Sequence, residues 1–210
     1  MSLLLTASPK DCSKKGLHLH KLNKKFLFGL STFLLSILSL VFFVWLILHP
    51  SKPQFYVKDA SVFELSLAPA RLLNTTIQTT FVAKNPNSRV GIYYDEIRTY
   101  AAYKGQQITV DVELPGFYQG HQDTNFLSTS LYGAGMPVSS SFGYEVNRDQ
   151  VAGKLILALK LDGQLRWKVG TWVSSKYRFD VNCIAVVVIV PGGVAGPLSS
   201  VQGSECSTTV

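Results

Sequence analysis

The chain has 210 residues, 47% of them hydrophobic and 16% charged, and a formal net charge of +7. Spread evenly, that composition would describe one ordinary globular domain. Neither property is spread evenly: most of the basic excess sits in the first 25 residues, which excludes the broad positive surface of a nucleic-acid-binding protein.

Residues 1–25 form a short tail in which Lys10, Lys14, Lys15, Lys21, Lys24 and Lys25 stand against Asp11 alone. Phe26 to Leu48 then reads FLFGLSTFLLSILSLVFFVWLIL, 23 residues without Asp, Glu, Lys, Arg, Asn or Gln. A bilayer core of about 30 Å is crossed by about 20 helical residues, so residues 26–48 are predicted to be a transmembrane signal-anchor helix. Ser31, Thr32, Ser36 and Ser39 are tolerated there because a short hydroxyl bonds back to the preceding turn. Pro50 and Pro53 end the helix. A cleaved signal peptide has about 7–15 apolar residues and a small-residue cleavage site. This run is longer and finishes in WLILHP.

Positive segments are retained in the cytosol, which predicts a cytosolic tail and an exterior segment from residue 49 onward, with Trp45 in the interfacial belt. Lys14, Lys15, Lys21, Lys24 and Lys25 then face the inner leaflet, where each basic side chain near the surface adds about 1 kcal/mol of attraction to anionic lipid. Plain retention is the simpler role and dedicated lipid recognition the alternative; membrane lipids are the first expected partner. His18 and His20 lack further ligands and are read as solvated. Cys12 faces the reducing cytosol, and only its nearness to lysines speaks for acylation.

Residues 49–58 are read as a juxtamembrane linker, residues 59–190 as one domain and 191–210 as a C-terminal tail. Strand patterns recur through the domain. VKDASVFELSL comes first. In RLLNTTIQTTFVAKN, Thr75, Ile77, Thr79, Phe81 and Ala83 share one face and Asn74, Thr76, Gln78 and Thr80 the other. GIYYDEIRTYAAY and QQITVDVEL follow, each bounded by turn residues. HQDTNFLSTSLYGAGMPVSS keeps neither period and is expected to be turn and irregular strand. In GKLILALKLDG, Leu155, Leu157, Leu159 and Leu161 alternate with Lys154, Ile156, Ala158 and Lys160. In KYRFDVNC, Tyr177, Phe179, Val181 and Cys183 do the same, and IAVVVIV reads as a buried terminal strand. Short strands without interleaved amphipathic helices predict a mainly β fold, an antiparallel sandwich of immunoglobulin or fibronectin-III type behind a single transmembrane helix.

Three features carry possible chemistry. Asn85-Pro86-Asn87 is strong turn chemistry, expected at a hairpin corner, with a binding role for the asparagines and for Tyr93, Tyr94 and Asp95 as the alternative. Phe117, Tyr118, Trp167 and Trp172 are expected mostly in the core, and Arg166 and Lys168 on an exposed turn after Asp162-Gly163. Asn74-Thr75-Thr76 is the exterior sequon, with Asn74 on the polar face, so glycosylation there is expected. In an oxidising compartment Cys183 and Cys206 are predicted to form a disulfide that folds the tail back against the last strand; the alternative is a buried free Cys183 and a loose Cys206. No catalytic, metal or cofactor site is read: His121 is isolated, the glycine clusters fit no phosphate loop, and carboxylates are scattered.

The strings AKNPNSRVGIYYDEI, LPGFYQGHQDT, LRWKVGTW and the late VNC resemble the plant NDR/HIN-like family, whose exterior part is a type-2 late-embryogenesis-abundant domain. The likeness covers nearly the whole chain; one departure is Gly116, where the family often has a second proline after Pro115. The resemblance implies a basic cytosolic tail, one membrane helix and a seven-to-eight-stranded fibronectin-like sandwich, without catalytic activity. It further implies a role in defence or stress at the plasma membrane, in some members at plasmodesmata, through a membrane or extracellular protein partner; the endoplasmic reticulum and self-association are compatible with it. A second class is a lipid-binding or membrane-contact module affecting traffic between cells. An apolar groove would favour the second, and a filled core under an aromatic-dotted surface the first.

Overall fold

The computed structural model describes residues 24–48, 50–188, 198–199 and 204–210. Cys12, Lys14, Lys15, His18, His20, Lys21 and His49, with the expectations placed on them, lie outside the described residues. The chain divides into two compact units, Met1–Ile47 and Leu48–Val210.

In the first unit, helix α1 (Lys24–Leu48) contains the predicted apolar run and starts two residues earlier, on Lys24 and Lys25. Its 25 residues give a length of about 38 Å, enough to cross a hydrocarbon core. All its described side chains, from Lys24 to Trp45, are exposed. Thr32 Oγ1 donates to the Gly29 carbonyl at 2.9 Å, the back-bond that makes a hydroxyl tolerable in an apolar helix.

The second unit is built from antiparallel strands. In chain order they are β1 (Gln54–Ala68), β2 (Leu72–Lys84), β3 (Gly91–Tyr103), β4 (Gln106–Gln107), β5 (Val112–Leu114), β6 (Phe117–Gln119), β7 (Thr124–Pro137), β8 (Lys154–Val169), β9 (Trp172–Val173), β10 (Tyr177–Val188), β11 (Leu198–Ser199), β12 (Ser204–Glu205) and β13 (Ser207–Thr209), with helix α2 (Phe142–Val151) before β8. Among the described residues one sheet runs β11-β1-β2-β7 with β12 also on β1; the other runs β13-β10-β8-β3-β4, with β5 and β6 on β3 and β9 on β8.

The period-two faces point inward as their sequences imply. Thr75, Ile77, Thr79, Phe81 and Ala83 of β2 are buried, as are Leu155, Leu157, Leu159 and Leu161 of β8 and Phe179, Val181 and Cys183 of β10, whereas Tyr177, at the start of β10 on the same face, is exposed. The sheets share one core: the Phe55 ring of β1 stacks on Phe179 at 6.1 Å and meets Tyr94 of β3 edge-on at 6.2 Å. Such aromatic pairs add about 0.5–1.5 kcal/mol each beyond their buried area.

Several expectations are corrected. β1 begins at Gln54, inside the span read as linker, because Phe55 and Val57 are core residues and pair with Ala83 and Phe81. QQITVDVEL is not one strand. Between β4 and β5, Ile108 N–H donates to Ala101 O of one sheet and Val110 N–H to Tyr132 O of the other, so the segment crosses between them.

The stretch 121–140 is not irregular: Thr124–Pro137 is a strand paired with β2 from Lys84↔Thr124 to Leu72↔Pro137. Its alternation was hidden because Phe126 and Tyr132 lie on its exposed face. Helix α2 breaks the run of strands and carries little apolar periodicity, since only Phe142 and Val146, one turn apart, bury against the core. The C-terminal tail is also partly ordered into sheet. β11 and β12 pair with β1, and β13 pairs with β10, covering strand edges whose N–H and C=O groups would otherwise be unpaired.

Candidate functional site

Asn85 follows β2 at a corner where the chain leaves one sheet and enters the other at β3, so the turn joins two sheets and is no hairpin. Asn85 is fully buried. Its Nδ2 donates to the carbonyls of Val90 and Gly120, both at 2.8 Å, and its Oδ1 accepts from Asn87 N at 3.0 Å and Asn87 Nδ2 at 2.9 Å. Asn87 Nδ2 also donates to Ser51 O at 2.8 Å, and its Oδ1 accepts from Ser51 N at 2.7 Å. The motif ties the entering chain, the β2–β3 corner and the turn before β7 into one network. Both side-chain amides are spent on internal hydrogen bonds.

The next motif residues divide by strand alternation. Tyr94 points inward, stacked on Phe117 at 4.6 Å, with its hydroxyl donating to Gln119 Oε1 at 3.2 Å. Burial pushes its phenol well above the usual tyrosine range. Gln119, also buried, donates onward to Ala83 O at 2.7 Å. Tyr93 and Asp95 point outward, and there they meet Arg166 and Lys168.

Arg166 and Lys168 do not sit on a turn. β8 runs unbroken through Asp162-Gly163 because a bulge between Tyr94 and Glu96 brings the Glu96 carbonyl over Gly163, where a Cβ would collide with it. On the continued strand Arg166 lies opposite Tyr93, and Tyr93 lies opposite Tyr118 of β6. Arg166 grips Asp95 with two hydrogen bonds, Nε to Oδ2 at 2.8 Å and Nη2 to Oδ1 at 2.6 Å.

Lys168 Nζ donates to the Tyr93 hydroxyl at 3.2 Å and stands 4.9 Å from the Tyr118 ring centroid. The rings of Tyr93 and Tyr118 are 4.6 Å apart, and the Arg166 guanidinium is 5.5 Å from Tyr93. The Tyr118 ring lies directly over Gly91, where a side chain would push it aside. The hydrogen bond to Asp95 holds the Arg166 guanidinium above its ordinary pKa, and the one to Tyr93 does the same for Lys168, so both stay charged. The result is a flat patch of two tyrosines and two cations on three adjacent strands, suited to binding a surface by stacking and charge-assisted hydrogen bonds.

Of the four aromatics expected mostly in the core, Trp167 and Phe117 pack inward, while Tyr118 is 42% exposed and Trp172 62%. Trp172 stands out because β9 is a two-residue strand beside Gly170, which takes a left-handed φ of +57°. Asn74 is half-buried in β2, and its Oδ1 accepts from Gly135 N–H at 2.9 Å. Cys183 and Cys206 are brought together, with sulfurs 2.03 Å and Cα atoms 4.3 Å apart, while Cys206 N–H donates to Phe55 O at 3.0 Å. Lys24 and Lys25 lie in the first turn of α1, exposed. Among the described residues no three His, Cys, Asp or Glu side chains gather as a metal site.

A family model described as "Late embryogenesis abundant protein" matches residues 80–183, which hold the Asn85 corner, the tyrosine and cation patch and Cys183. Relatives from Arabidopsis thaliana extend the likeness. NDR1/HIN1-like protein 26 is 48% identical over 100% of both chains. NDR1/HIN1-like protein 1 is 37% identical over 85% of this chain and 86% of its own. NDR1/HIN1-like protein 12 is 39% identical over 74% of each. With identity at that level reaching from the basic tail to the last strand, the chain belongs to the NDR1/HIN1-like protein family.

Proposed function

We propose that the chain is a non-enzymatic, single-pass protein of the plant cell surface that serves defence or stress responses by binding a protein partner through the Tyr93, Tyr118, Arg166 and Lys168 patch. The patch itself carries the reading. Tyrosine and arginine are the residues on which binding energy concentrates at protein interfaces, and here they stand on a rigid sheet. Two grooves, of about 500 Å³ beside Arg98, Asp162 and Asp180 and of about 450 Å³ beside Asp59, Thr79 and Ser128, are lined largely by charged and hydroxyl groups, and the apolar one of about 370 Å³ beside Trp172 lies open at the surface. A lipid-carrying cavity would be enclosed and apolar. The defence and stress assignment follows the family.

In this reading α1 spans the membrane, the lysine-rich tail is cytosolic and the β domain is extracellular at the plasma membrane, including plasmodesmata. Asn74 then carries a glycan, and the Cys183–Cys206 bond forms on the oxidising side. The order β1-β2-β7 against β10-β8-β3-β4 supports a fibronectin-type sandwich.

Proximity labelling in plant tissue, with enzymes fused at residue 1 or residue 210, tests the reading. The C-terminal fusion should label exterior proteins, a set that shrinks in a Tyr118→Ala, Lys168→Glu chain of unchanged abundance. Cytosolic labelling from residue 210, or an unchanged set in the variant, overturns it. Glycosidase treatment should shift the native chain and leave Asn74→Gln unshifted.

A further inference from the structure

A second aromatic site lies at the pole where the chain enters the β domain. Pro50, Val90, Trp167, Val169, Trp172 and Tyr177 wall an apolar groove of about 370 Å³. Trp172 and Tyr177 are 62% and 46% exposed, a large uncovered area for rings of that size. Neither belongs to the tyrosine and cation patch. Pro50 lies two residues beyond Leu48, the last residue of α1. Two Cα steps reach at most about 8 Å, so one wall of the groove is tethered within that distance of the helix end at any inclination of the domain.

Where α1 leaves a bilayer, its end meets the headgroup layer, roughly 5–8 Å thick on each side of the hydrocarbon core. Tether and layer are the same length. Tryptophan and tyrosine favour this layer because they join an apolar ring to a polar edge. The charges near the groove agree. Arg89 and Lys176, next in sequence to Val90 and Tyr177, and Lys52 beyond Pro50 are all exposed, and Asp123 is the exposed acid on the turn bonded to Asn85. Glu96 approaches Lys176 only at 4.0 Å. The pole is cationic around an apolar, aromatic centre, which matches an anionic phospholipid surface.

We infer that this groove is a membrane-docking pad: Trp172 and Tyr177 seat in the headgroup region of the leaflet from which the chain emerges, and Lys52, Arg89 and Lys176 face its lipid phosphates. The inference rests on the membrane-spanning reading of α1. Docking holds the β domain down on the bilayer by its aromatic pole and leaves the Tyr93 and Tyr118 patch to a protein partner.

The full chain, reconstituted in phosphatidylcholine and phosphatidylserine vesicles whose acyl chains are brominated near the headgroup, tests both steps through its tryptophans. Trp45 reports on the span; in a Trp45→Phe chain, the exposed Trp172 reports on the pad, since Trp167 is only 7% exposed. That chain should show blue-shifted emission, substantially quenched by the bromines, and adding the surface substitution Trp172→Phe should remove the quenching. If the wild-type chain is quenched but the Trp45→Phe chain is not, the span stands and docking is overturned. Quenching that survives Trp172→Phe likewise removes Trp172 from the pad. If neither chain is quenched, the membrane reading fails and takes the inference with it.

Discussion

Asn85 holds the corner between the two sheets with its side-chain amide, whose Nδ2 donates twice and whose Oδ1 accepts twice. Its type and its place beside Pro86 announce a turn, and the fold ties its amide both to its own corner, at Asn87 and Val90, and to the distant turn at Gly120. Truncation leaves several buried polar groups unpaired at about 1–3 kcal/mol each. Asn85→Ala should therefore lose about 3 kcal/mol or more, seen as a fall of several degrees in melting temperature, whereas Tyr118→Ala on the exposed patch should melt nearly as the wild type does. Asp149 offers a pH test. The Tyr103 hydroxyl, donating at 2.7 Å, and Lys104, at 3.1 Å, hold its carboxyl below the ordinary aspartate range. A depressed folded pKa means that the contribution is complete above the unfolded value of about 3.9 and is lost as pH falls through the folded one. Melting temperature should decline below about pH 4, and Asp149→Asn should flatten part of that slope; the site is solvated, so the effect is small.

At the scale of elements, alternation located β2, β8 and β10 because each has one buried and one exposed face. It failed at β7, whose outer face carries Phe126 under the Lys58 ammonium and the exposed Tyr132. It failed again at α2, a ten-residue helix that buries only Phe142 and Val146. Phe142 packs edge-on against Tyr103 at 5.4 Å. Phe142→Ala should cost about 3 kcal/mol, read as a lowered denaturant midpoint. Gly163 is the counterpart on β8. The bulge opposite it leaves no room for a side chain, so Gly163→Val should displace Arg166 from Asp95 and destabilise the domain by about 2 kcal/mol or more. Circular dichroism melts with amide exchange along β3 and β8 would register both effects.

For the whole molecule, the C-terminal segment decides how the sheets end. β11 and β12 lie on β1 and β13 on β10, with Cys206 between them joined to Cys183. The bond closes a loop with a sequence separation of 23, worth about 3 kcal/mol by chain entropy. Cys206→Ser, or reductant, should lower the unfolding midpoint correspondingly and speed exchange at the outer edges of β1 and β10. An unchanged midpoint would mean that the tail's backbone pairing suffices without the bond. By itself the sequence determined the apolar helix, the antiparallel β character and the inward faces of the main strands, because these depend on local periodicity and on the length of an uncharged run. The tertiary structure alone decided that Asn85 and Tyr94 point inward, that Arg166 and Lys168 join Tyr93 and Tyr118, and that Trp172 is exposed beside Pro50. Those outcomes depend on cross-strand register, a bulge opposite a glycine and a tail returning to two sheet edges, which are contacts between residues far apart in the chain that no local pattern encodes.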